Sequence, residues 1–236
     1  MKKVIHKSAS RGSADHGWLK THHSFSFANY YDPSRMHFGM LRVLNDDYVA
    51  PSKGFGLHPH DNMEIVTIPV KGTLNHRDTT GRSEALRAGD VQIMSAGTGL
   101  QHAEFNESKE EAVELFQVWV MPKVENITPR YDQRTFSVSD RKNKLQIVVS
   151  PDEKDNALWI NQDAYFTLSD VDAGKEVEYT IHKKGNGVYV FMIEGKAKVA
   201  DEILDRRDAM GVSETDTFKV LPQTPARLLF IEVPMN

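Results

Sequence analysis

Cysteine is absent from all 236 residues, which removes disulfides, thiolate nucleophiles and thiolate-held zinc or iron–sulfur sites together. Any metal must then be held by nitrogen and oxygen donors. Long apolar runs are also missing. Nothing approaches the ~18 consecutive apolar residues of a membrane-spanning helix, and the opening segment MKKVIHKSASRGSADHGW is basic without an apolar stretch, unlike a secretory signal. A cytoplasmic chain is expected, in which the sequons at Asn106 and Asn126 are chance matches. No basic block stands out: 29 Lys and Arg are scattered among 33 Asp and Glu, for a formal charge of -4, so direct nucleic-acid binding is not expected. No P-loop lysine follows the glycine-rich Ala96-Gly97-Thr98-Gly99, which reads as a tight turn, and no G-x-S-x-G nucleophile elbow occurs.

What remains is a chain of ordinary composition, 39% hydrophobic and 26% charged, long enough for two domains. Short runs rich in Val, Ile, Leu and Phe recur between Gly, Asp, Asn and Pro. They predict strands over 38–44, 63–70, 73–78, 91–95 and 113–121, then over 145–150, 177–181, 188–194, 217–221 and 227–233. Residues 200–210 fit either a short helix or a polar hairpin. This spacing is that of an all-β sandwich or barrel. The apolar pattern fades over 122–143, where a linker is placed, and each half closes on an apolar strand followed by proline, VWVMP and FIEVP. Two related barrels are expected, over 1–130 and 131–236.

Three of the ten histidines stand out by their neighbours: His58 and His60 in GFGLHPHDNMEI, and His102 in GTGLQHAEFN. Residues i and i+2 of a strand share a face, so His58 and His60 aim into one space, as do His102 and Glu104. Two such pairs on neighbouring strands would supply four N/O ligands, a set that suits Fe(II) and also Zn, Mn, Ni, Cu or Co. Protons are expected to compete with the metal below about pH 6. His76, in HRDTTG, reads as solvent-facing; of His16, His22, His23 and His37, most read as hydrogen-bonded structural histidines and one as a candidate neighbour of the metal ligands.

These residues resemble the two signatures of the cupin superfamily. The first reads His58-x-His60-x3-Glu64, with Gly72 eight residues on; the second reads Gly89-x5-Ser95-x-Gly97, then His102-x3-Asn106. Serine replaces the usual proline at 95, and two extra residues precede His102. More closely, HGWL, HHSFSFANYYDP, FGMLRVLNDD, GFGLHPHDNMEIVT, AGDVQIMSAGTGLQHAEFN and QVWVMP resemble the pirin family. That resemblance implies a bicupin of two jelly-roll-like barrels whose first holds a metal and whose second does not. Consistently, the second half has only His182 and no HxH or HxE pair.

The superfamily pattern nominates Glu64 as the fourth ligand, whereas the pirin pattern assigns Glu104; strand parity counted from His60 admits both. The closer family favours Glu104. It also implies an activity, the dioxygenation of flavonols such as quercetin with release of carbon monoxide, with Glu104 as general base. The alternatives are a metal-binding regulatory protein acting through protein contacts, or another cupin enzyme on a small polar metabolite. A flat aromatic substrate and dioxygen need an apolar cavity, for which Phe25, Phe27, Phe55 and Met94, with Met63 and Trp119, are candidates. A monomer is expected by the same resemblance.

Overall fold

The computed structural model describes all residues 1–236. The protein is built almost wholly of strands, with two single-turn 3-10 helices, and no helix is long and apolar enough to cross a membrane. Four antiparallel-dominated sheets form two barrels, each made of one seven-stranded and one four-stranded sheet. In the first barrel the small sheet runs in the order Gly54–His60, Leu100–Phe105, Thr73–Asp78, Ser83–Arg87. Its large sheet is centred on Glu64–Lys71, Val113–Val120 and Leu41–Val49. In the second barrel the large sheet is centred on Asn186–Glu194 and Ala226–Pro234.

Side-chain alternation along the central strands divides their residues between two cores. On Val113–Val120, Phe116, Val118 and Val120 face the second barrel, while Leu115, Gln117 and Trp119 belong to the first barrel's interior. The largest apolar cluster, 26 buried residues, is therefore shared: Leu44, Val66 and Phe116 of the first barrel meet Phe166, Phe191 and Ile231 of the second. The second barrel's interior is filled by a separate cluster of 17 residues, in which Tyr179 stacks on Phe230 with centroids 5.0 Å apart. The first barrel's interior carries only clusters of six and three, because a cavity occupies the rest.

The domain boundary differs from the expected 130/131 at both ends of the first unit. Lys2–His6 pairs with Ala209–Ser213 of the second barrel, and Arg130–Thr135 pairs with Asp90–Ser95 of the first. The expected linker thus contains a strand, invisible to an apolar-pattern reading because RYDQRT is polar and its ladder bonds are all backbone. Residues 200–210 hold a hairpin: Ala197–Val199 pairs with Glu202–Leu204 across Ala200 and Asp201, at φ 43° and 74°. Two successive positive φ values are what a two-residue turn of the I′ type requires.

Candidate metal centre

His58 and His60 lie on Gly54–His60 and His102 on the neighbouring Leu100–Phe105, with His102 opposite His58 in register. The ligand-capable nitrogens of the three all lie within 4.8 Å of one another. His60 Nε2 and His102 Nε2 are 3.0 Å apart, and the His58 ring is centred 4.4 Å from that of His102. His58 Nδ1 lies 2.8 Å from the carbonyl oxygen of Gly56; a carbonyl only accepts, so Nδ1 carries the hydrogen and Nε2 the lone pair. Burial, reinforced by the neighbouring His58, lowers His60 to about 4, and burial lowers His102 as well. Both therefore stay neutral, the form that ligates, well below pH 6; proton competition from these two begins at a lower pH than the free-imidazole value suggests.

Glu104 shares a second cluster with His102 and His76, again within 4.8 Å. It is 1% exposed. Trp119 Nε1 donates to Gln117 Oε1 at 3.3 Å, and Gln117 Nε2 donates to Glu104 Oε2 at 2.7 Å. This orients the Gln117 amide and leaves Glu104 Oε1 buried with no partner in the chain. Burial pushes the Glu104 carboxyl up to about 7 in spite of the Gln117 hydrogen bond. Three clustered imidazoles and a buried carboxyl oxygen without a partner in the chain fit a divalent cation. The protein has a metal-binding His/Glu site.

Glu64 is elsewhere. Residues 61–63 form a bend, with Asn62 at φ 41°, so the parity counted from His60 is reset before Glu64 opens a strand of the other sheet. Its Oε2 accepts from the Ser95 hydroxyl at 2.8 Å and from the backbone N–H of Asn161, in the second barrel, at 3.1 Å. It ties the two barrels together.

A cavity of about 640 Å³ opens beside His58, His60 and Glu104. Phe27, Phe55 and Trp119 line it as expected, Phe27 meeting Trp119 edge-on at 5.3 Å. Phe25 and Met94 do not. Phe25 packs on His6 and Tyr189 in the shared core, and Met94 is buried with Ile65 and Leu100, as Met63 partly is. His76 is not solvent-facing either: it is 0% exposed. The cavity also takes His16 and His23, two of the four histidines ahead of the barrel, and Trp18, Tyr30 and Asp47, which sequence reasoning missed. A signal for Asp47 existed: Asn45 and Asp47 put polar side chains at alternate positions of an apolar strand, as Gln117 interrupts VELFQVWV.

A family model described as Pirin matches residues 4–120, and one described as the quercetinase C-terminal cupin domain matches 147–233. A protein of Escherichia coli strain K12 named quercetin 2,3-dioxygenase is 38% identical over 236 residues, covering 98% of each chain. The chain belongs to the pirin family. Within that family, the crystal structure of YhhW from Escherichia coli superposes with a TM-score of 0.95 at 36% identity, covering 100% of this chain and 99% of that one. The structure of the bacterial pirin YhhW in complex with nickel(II) gives 0.94 at 36% identity, covering 100% of each. The bicupin architecture expected from the sequence is the pirin architecture.

Proposed function

We propose that this protein is a metal-dependent dioxygenase that opens the central ring of flavonols such as quercetin and releases carbon monoxide. In this reading His58, His60, His102 and Glu104 hold one divalent ion, Fe(II) by our assignment. The observation that carries it is the unpartnered, buried Oε1 of Glu104, clustered with His102, which in turn clusters with His58 and His60 at the wall of an aromatic-lined cavity. Relatives named quercetin 2,3-dioxygenase, 38% identical over nearly the full chain, support the substrate class.

A bound ion would supply Lewis acidity toward the adjacent 3-hydroxyl and 4-carbonyl of a flavonol and a point of orientation for both. The chain's own residues do the rest. Phe27, Phe55 and Trp119 give flat apolar walls that exclude water from the reacting ring. Glu104, at the cavity wall, is the carboxylate placed to take the 3-hydroxyl proton. Gln117, itself held by Trp119, orients the carboxylate so that Oε1 is the oxygen offered to the ion, while Oε2 keeps a second lone pair for the proton.

The test is aerobic incubation of protein loaded with Fe(II), or in turn Ni(II), Mn(II), Co(II), Cu(II) or Zn(II), with quercetin. Loss of the flavonol's visible absorbance should accompany release of one carbon monoxide per substrate. Glu104→Gln should lower turnover about 10²–10⁴-fold, the usual worth of a positioned base, and weaken metal retention, whereas Glu64→Gln should leave the metal in place. No turnover above the metal-free protein with any of these ions would overturn the assignment.

A further inference from the structure

His76 has no part in the chemistry above, yet it is fully buried against the metal centre in polar company. It lies on Thr73–Asp78 beside Leu100–Phe105, with His76 opposite Glu104 and Asp78 opposite His102. The side chains of His76 and Asp78 are both 0% exposed. His76 Nε2 is 2.8 Å from Asp78 Oδ2, and His76 Nδ1 is 3.5 Å from His102 Nδ1. Asp78 is fixed in turn: its Oδ1 accepts from the backbone N–H of Thr80 at 2.8 Å and from the Thr80 hydroxyl at 2.5 Å. The Tyr131 ring, centred 4.6 Å from that of His76, packs over the pair.

We propose that Asp78 and His76 form a positioning pair that selects the tautomer of His102 and so presents its Nε2 lone pair to the metal. An ionised carboxylate only accepts, so His76 Nε2 carries the hydrogen. A neutral imidazole with Nε2–H has a bare Nδ1, which also only accepts. The nitrogen of His102 that faces it must therefore be the donor, Nδ1–H. That leaves His102 Nε2 bare, 3.0 Å from His60 Nε2 and in the midst of the three-histidine cluster. Metal-binding histidines commonly give their second N–H to a carbonyl or carboxylate. His58 does so directly, through the Gly56 carbonyl; His102 does so through an intervening imidazole.

The inference rests on the reading of His102 as a ligand, and the experiment separates the two. Long-range ¹H–¹⁵N correlation spectra of the metal-free protein at pH 8 report histidine tautomers without any metal. Wild type should show His102 as Nδ1–H and His76 as Nε2–H. In Asp78→Asn the amide oxygen keeps the Thr80 donors and the NH₂ faces His76, so His76 should switch to Nδ1–H and His102 to Nε2–H. Ni(II) and Co(II) affinity should fall about 10–100-fold in Asp78→Asn and in His76→Phe, while X-ray absorption of the Co(II) forms still counts three imidazoles. Finding His102 as Nε2–H in wild type, or unchanged affinity in both folded variants, would overturn the proposal. So would loss of one imidazole from the Co(II) shell of His76→Phe, because His76 would then be a ligand. Should Asp78→Asn not fold, the wild-type tautomer and His76→Phe decide the matter. A His58→Ala protein that binds metal as tightly as wild type would sink the site reading, and the tautomer result would stand apart from it.

Discussion

Asp47 is a carboxyl placed where ionisation is expensive. It lies on Leu41–Val49 at the cavity wall, 5% exposed, and its Oδ1 has no hydrogen-bond partner in the chain. Burial raises it to about 7 from the ordinary 3.8, against a partial offset from the Thr21 hydroxyl. Between those values the folded protein holds a proton that the unfolded chain releases, so stability falls as pH rises from about 4 to 7 and is flat beyond. The upper bound on that loss is about 4 kcal/mol, at ~1.4 kcal/mol per unit. Asp47→Asn should therefore stabilise the metal-free protein at pH 8 by about 1–4 kcal/mol, with the gain gone near pH 4. Urea denaturation across that range measures it, and a pH-independent difference would refute the account. Residues of this kind mark where the sequence was readable and where it was not. His58, His60 and His102 were legible because i, i+2 parity holds within a strand. Strand parity alone did not separate Glu64 from Glu104, because three residues between the strands reset the count before Glu64. His76 looked like a turn residue because its burial comes from Tyr131 and His102, both distant in sequence.

Among the elements, Lys2–His6 departs furthest from the sequence reading. Its five residues pair with Ala209–Ser213, and His6 Nδ1 lies 2.8 Å from the hydroxyl of Tyr189, a ring at the heart of the shared core. Nothing local foretells this, since KKVIH is short and mostly exposed and its partner is about 200 residues away. The strands over 73–78 and 113–120, by contrast, were legible because apolar alternation and flanking Gly or Pro are local properties. Deleting residues 1–6 should strip the Ala209–Ser213 edge and remove the Tyr189 partner. A lost buried hydrogen bond costs about 1–3 kcal/mol, and at ~2–4 °C per kcal/mol for a chain of this size the melting temperature should drop by roughly 2–12 °C. The freed edge should also promote aggregation. Metal content should not change, because no ligand candidate contacts this strand. Calorimetry with metal analysis of the truncated protein tests both statements, and loss of metal would show that the strand supports the site.

At the scale of the whole molecule, one fold is used for two opposite ends. In the first barrel the inward positions are Asn45, Asp47, Gln117 and Trp119 around a cavity; in the second they are Val188, Val190, Met192 and Phe230 in a filled core. The second barrel's buried carboxylate, Glu232, is fully satisfied by His182, Tyr179 and Asn186 and has no orphaned oxygen to offer a metal. A barrel hollowed by a site has less apolar contact of its own, and the shared cluster compensates by binding it to its filled neighbour. The two barrels should therefore unfold as one cooperative unit. Phe116 of the first barrel and Phe191 of the second meet edge to face, centroids 5.2 Å apart, with the Arg207 guanidinium 4.8 Å from the Phe116 centroid. Phe116→Ala and Phe191→Ala should each cost about 3–5 kcal/mol, and each should lower the midpoint of a single transition seen by both tryptophan fluorescence and far-UV dichroism. The double-mutant cycle should return a coupling of about 0.5–1.5 kcal/mol, the usual worth of an aromatic pair beyond its buried area. Two separated transitions, with only one moved by each substitution, would instead mean that the barrels fold independently and that the shared core joins them without making them interdependent.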